Sequence, residues 1–97
     1  MKRFIIAVDG TTITAGGRNE LTAFLEGKGW SIWHWFPDLW LVDEVSDSTS
    51  AAALRDQIKS LVRGVNVMVM TPEGSIDYAG FIKTTSMEWL HQHWKTR

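Results

Sequence analysis

The chain contains no cysteine. That excludes disulfides, thiolate nucleophiles and cysteine-ligated zinc, and it fits a cytoplasmic protein. Proline occurs only twice, at Pro37 and Pro72, and each marks a turn. Neither sign of charge is in excess: the formal net charge is −1. A global field that gathers nucleic acid, or one that mimics it, is therefore excluded, and any such function must rest on a local patch. Long apolar runs are missing as well, so no segment is expected to span a membrane, which takes about 20 apolar residues. Met1-Lys2-Arg3 before Phe4 to Val8 has the outline of a signal peptide, but the run is short and stops at Asp9. There is no internal repeat, no low-complexity stretch, no phosphate-binding loop and no Ser-His-Asp signature.

Tryptophan is what the chain has in plenty. There are six, and Trp30, Trp33, Trp35 and Trp40 fall within Trp30 to Val42. Pro37-Asp38 interrupts this aromatic stretch. Pro37 has the φ wanted at the second position of a type I turn, and Asp38 suits the third. A β-hairpin follows, with strands near 30–36 and 39–44. With Pro37-Asp38 as the loop, Phe36 lies opposite Leu39, Trp35 opposite Trp40, His34 opposite Leu41 and Trp33 opposite Val42. Alternation then puts Trp33, Trp35, Trp40 and Val42 on one face, and Ile32, His34, Phe36, Leu39 and Leu41 on the other. Both faces are apolar, so both need cover.

Residues 2–8 are apolar and β-branched and end at Asp9-Gly10, which predicts a buried first strand. Gly10, Gly16 and Gly17 predict a loop over 10–18, and Asn19 caps a short helix whose apolar face is Leu21, Phe24 and Leu25. Leu54, Ile58, Leu61 and Val62 give a stripe on a second helix over 50–63, closed by Gly64. Val65 to Thr71 alternates as a strand. Residues 76–82 fit either a short strand or irregular structure. Thr85 with Glu88 forms a capping-box pattern ahead of a last helix near 86–95. The order predicts one domain over 1–97: an α+β, ferredoxin-like βαββαβ sandwich with an added C-terminal helix. Two helices on one face of the sheet leave the other to the tail, to a partner, or to both. A homodimer is the economical partner.

At the hairpin the sequence resembles a group of small bacterial proteins named the SinR family. The resemblance rests on Gly29, on Trp33-His34-Trp35 and on Trp40-Leu41-Val42. It continues through Leu54-Arg55-Asp56, the strand Val67 to Met70, Gly80-Phe81 and Ser86-Met87-Glu88-Trp89-Leu90. That group is related to the small CRISPR-associated nuclease subunit and to VapD ribonucleases. The resemblance implies a ferredoxin-like fold, a tendency to dimerise, and an acidic residue at the end of the first strand, where Asp9 stands. It further implies that Asp9 binds Mg²⁺ or Mn²⁺ with the second copy's equivalent, in a metal-dependent nuclease.

Each candidate has a plainer reading. Asp9 is the catalytic and metal-binding candidate, or else it opens the Gly10 turn. Arg55, Lys59 and Arg63, spaced i, i+4, i+8, form a stripe able to follow nucleic-acid phosphates, or else a solvated helix face. His34 is a general base or an interface pH switch, or else a hydrogen-bonded packing or dimer-contact residue. Trp33, Trp35 and Trp40 serve base stacking, or else packing and dimer contact, and truncating Trp35 or Trp40 is expected to destabilise the fold. His91 and His93, two apart, lack the spacing of a helical zinc pair. Two functions follow: a nuclease or nucleic-acid-binding protein using Asp9, or a non-catalytic protein-binding module regulating a defence or toxin–antitoxin system.

Overall fold

Why each segment takes its form is visible from its ends. The computed structural model describes residues 1–74 and 76–94. Strand β1 (Lys2–Val8) ends where Asp9 caps a single 3₁₀ turn, Gly10–Thr12. Helix α1 (Ala15–Gly27) starts earlier than the glycines suggest. Thr14 Oγ1 accepts from Gly17 N at 3.0 Å, which caps the helix and places Gly16 and Gly17 in its first turn rather than in a loop. Strands β2 (Ser31–Phe36) and β3 (Leu39–Val45) flank Pro37-Asp38 as predicted. Ser50 caps α2 (Ala51–Leu61), and β4 (Val67–Met70) is shorter than Val65 to Thr71. Helix α3 (Thr84–His93) begins after Lys83 with no side-chain cap, so the Thr85–Glu88 capping box does not form. The expected end of that helix, at 95, lies outside the described residues. Residue 76 onward to α3 has no strand.

The result is an α+β fold with one four-stranded antiparallel sheet, in the order β2-β3-β1-β4, and three helices. Among the described residues no helix is long and apolar enough to cross a membrane.

The hairpin register departs from the expectation by one residue. Phe36 does pair with Leu39, but Trp33 then pairs with Leu41 and Ile32 with Val42. His34 and Trp35 together oppose Trp40. This is a β-bulge, and a one-residue slip exchanges the faces. Trp33 and Trp40 therefore point to opposite sides of the sheet. A row Trp33, Leu41, Ile5, Met70 crosses all four strands on one face. The row Trp40, Ile6, Val69 lies on the other.

The Trp40 face carries the main core. Phe4, Ile6, Trp40 and Val42 meet Leu21 and Leu25 of α1 and Leu54 and Ile58 of α2, all fully buried. Of the expected stripe, Leu54, Ile58 and Val62 are buried and Leu61 is exposed. The Trp33 face carries a smaller cluster, in which Trp33 and Leu41 meet Leu90 and Trp94, with Ile76, Tyr78 and Ile82 packed around them. So the tail covers part of the second face within the same chain. Met68 and Met70, toward the β4 edge, remain exposed.

Candidate functional site

Asp9 stands where β1 leaves the sheet, and its carboxylate already has work. Oδ1 accepts from Thr11 N at 3.0 Å and from Thr11 Oγ1 at 2.7 Å. The Thr11 hydroxyl, then the Thr11 N–H, and more weakly Asn66 hold its pKa below the ordinary aspartate value. Asp9 N donates to Asn66 O at 2.9 Å, and Asn66 N donates to Thr12 Oγ1 at 3.0 Å, so the end of β1 is tied to the start of β4. The carboxylate is ionised and open to solvent, in a shallow depression shared with Ala7, Asn66 and Met68. A divalent cation there would have one carboxylate from this chain. Among the described residues no three His, Asp or Glu side chains gather to hold a metal.

Beside this end of the sheet, Arg18 Nε and Nη2 both donate to Asp38 Oδ1, at 3.0 and 2.8 Å. A Cβ on Gly10 would lie 2.5 Å from Asp38 Oδ2, so a larger residue here would displace the carboxylate that Arg18 holds.

The basic stripe is shorter than its spacing suggests. Arg55 and Lys59 lie on α2, but the helix ends at Leu61, and Arg63 sits in the turn before Gly64. Arg55 Nη2 pairs with neighbouring Asp56 at 2.9 Å. All three residues are exposed. Among the described residues no hydrogen bond or ion pair connects them to Asp9.

The hairpin aromatics divide by burial. Trp40 is fully buried, and its Nε1 donates to Thr22 Oγ1 at 2.9 Å. His34 stacks flat on Trp40 at 4.2 Å, and its Nδ1 lies 2.9 Å from Leu39 O, the arrangement of a packing histidine. Trp33 is buried edge-on against Phe36, and its Nε1 has no partner among the described residues, a cost of about 1–3 kcal/mol. Trp35 is the correction: the bulge turns it outward, and it is 60% exposed. Lys83 Nζ lies 4.8 Å from its ring centroid. Trp35, Phe36 (47% exposed) and Phe81 (fully exposed) line one groove with Ile82 and Lys83.

A further set of polar residues gave no sequence signal. Ser31, Asp43 and His93 are remote in the chain, yet His93 Nδ1 lies 2.9 Å from Asp43 Oδ2 and His93 Nε2 lies 3.2 Å from Ser31 Oγ. The sequence shows no Ser-His-Asp signature; the fold assembles these residues. The hairpin register sets Ser31 opposite Asp43, and the docking of α3 brings His93 to them, a contact that no spacing rule encodes. No family model matches this chain, and no curated protein and no solved structure matches it either.

Proposed function

We propose that this protein is a dimeric protein-binding module, and that its contact surface is the patch Trp35, Phe36 and Phe81. The observation that supports this reading is the exposure of three large aromatics around one groove. Exposed aromatics of this kind supply most of the energy of protein interfaces, whereas scattered exposed apolar residues need no explanation. A second copy of the chain is the first occupant, because a two-fold contact needs only one such patch. The same reading takes the strand order as ferredoxin-like: from the other edge it is β4-β1-β3-β2. Kinship with the SinR group, and regulation of a defence or toxin–antitoxin system, belong to this proposal and rest on the hairpin motif.

Light scattering on the wild-type chain at micromolar concentration is expected to give a dimer mass. The double variant Trp35→Ser, Phe81→Ser should raise the dissociation constant at least ~30-fold, the loss of about 2 kcal/mol that marks a hot spot. Both side chains are exposed, so the variant should lose at most about 1 kcal/mol of stability. A wild-type monomer over the whole concentration range would remove the dimer from the proposal.

A metal-dependent nuclease is the second reading, favoured by the ionised, solvent-open Asp9 carboxylate. Two copies facing each other would hold Mg²⁺ or Mn²⁺ between carboxylates, with waters and phosphate oxygens completing the shell. Asp9→Asn keeps an acceptor for Thr11 and removes the charge. On this reading the variant folds normally and loses both the thermal shift given by Mn²⁺ and the cleavage of DNA or RNA. A wild type with neither response leaves Asp9 as a turn cap.

A further inference from the structure

Ser31, His93 and Asp43 form one continuous hydrogen-bonded chain, and its direction is set by chemistry. A carboxylate only accepts, so His93 Nδ1 carries its proton toward Asp43 Oδ2. Nε2 of the neutral ring is then an acceptor, and the Ser31 hydroxyl donates to it across 3.2 Å. Trp89 Nε1, which can only donate, gives its proton to Ser31 Oγ at 3.0 Å. With one side of Oγ so occupied, its own hydrogen is directed at His93. This tautomer is the one a general base needs.

We propose that Ser31 is the nucleophile of an acyl-transfer site that cleaves small esters of short-chain acids. His93 is its general base, and Asp43 is the residue that positions His93. This goes beyond the binding role proposed above and does not depend on it. Two observations carry it. The first is the order of the chain, nucleophile to base to acid, at hydrogen-bond distances throughout.

The second is a gradient of burial. Asp43 is 1% exposed, the His93 side chain is 11% exposed, and Ser31 is partly open to solvent. The anion is shielded and the nucleophile is reachable. A clasp that merely fastened α3 would gain nothing from leaving the hydroxyl at the open end. Ser31 begins an edge strand, so a substrate reaches it from outside the sheet without an enclosing cleft. That access suits a short acyl group.

The backbone next to the buried acid is bulged. Asp43 and Glu44 together oppose Arg3 in a bulge between β1 and β3, and Glu44 has φ 66°. A non-glycine residue there is held by its surroundings. Alternation from Leu41 sets Asp43 on the α3 face, opposite Ser31, and the bulge after it returns Val45 to the main core. Arg3 Nη1 donates to His93 O at 3.4 Å, which helps fix the end of that helix.

The reaction balances without an added oxidant or cofactor. Ser31 Oγ bonds to the ester carbonyl carbon while its proton passes to His93 Nε2. The carbon–oxygen bond to the alcohol breaks, and the alcohol leaves with that proton. Water then attacks the acyl-serine and gives a proton to Nε2. Ser31 takes that proton back as the carboxylic acid departs.

The test is labelling of the wild-type protein with a small alkyl fluorophosphonate, with the adduct mapped by mass spectrometry. Modification of Ser31 is expected. His93→Gln should slow it at least ~100-fold, the usual contribution of a general base. Asp43→Asn presents an amide donor to Nδ1 and favours the wrong tautomer. It should slow the rate and leave Ser31 as the modified residue. p-Nitrophenyl acetate should leave an acetyl group on Ser31 and none in Ser31→Ala. No adduct at Ser31 in the folded wild type, or one formed no faster than on N-acetylserinamide, would overturn the proposal. Both of those readings use the wild type alone, so a variant that fails to fold cannot rescue it.

Discussion

Burial separates two tryptophans that alternation alone had put on the same face. Trp40 is enclosed by both helices of the main core and hydrogen-bonded to Thr22. Trp40→Ala should cost about 3–5 kcal/mol, the usual loss for a truncated buried aromatic. Trp35 meets solvent and the Lys83 ammonium. Its replacement by Ala should cost at most about 1 kcal/mol, the scale of an exposed cation–π contact. Urea midpoints of the two variants, measured together, check the pair; similar losses would mean that Trp35 is buried in solution. The identity of the turn was legible here, because Pro37 and Asp38 have strong local preferences. The bulge beyond it was not. Nothing in His34-Trp35 distinguishes a regular pair from two residues facing one, and the choice is made by what each face can pack against.

At the scale of elements, glycine misled the reading of α1. A Gly-Gly pair argues for a loop, since each glycine in a helix costs about 1 kcal/mol relative to Ala. The cap from Thr14 and the packing of the first turn outweigh that preference. The two glycines differ in what surrounds them. A Cβ on Gly16 would have only Thr14 Oγ1 near it, at 3.7 Å. On Gly17 it would lie 2.9 Å from Ile13 Cγ1 and 3.3 Å from Val62 Cγ1. Gly16→Ala should therefore stabilise the protein by up to about 1 kcal/mol. Gly17→Ala should destabilise it by about 1 kcal/mol, because overpacking of about 1–3 kcal/mol exceeds the gain in propensity. Thermal melts giving both shifts the same sign would count against this account. The strands and α2 were legible from periodicity, which survives without tertiary knowledge. The start of α1 depends on contacts with Ile13 and Val62, and these exist only once the chain is folded.

At the scale of the whole molecule, the decisive question is what covers the second face of the sheet. The apolar pattern demanded a cover and did not say whether it came from the tail or from a partner. In the structure α3 and residues 76–82 provide it over Trp33 and Leu41. The candidate polar chain from Ser31 through His93 to Asp43 exists only because α3 docks there. A ten-residue helix is unstable alone in water, so α3 and its docking form and fail together. Leu90 is the test point, since it is buried against Trp33 and Trp94 and has no part in the polar chain. Leu90→Asp loses about 1.5–3 kcal/mol of apolar burial and adds the cost of burying a carboxylate. Undocking α3 avoids that second cost and uncovers the row Trp33, Leu41, Ile5, Met70. The main core beneath α1 and α2 shares none of those side chains. The variant should therefore keep a cooperative unfolding transition and its sheet signal by circular dichroism. It should also bind a hydrophobic dye and scatter light as a larger species than the wild type. If it stays at the wild-type mass with no dye binding, the second face is not held by α3, and both the clasp and the site built on it lose their support.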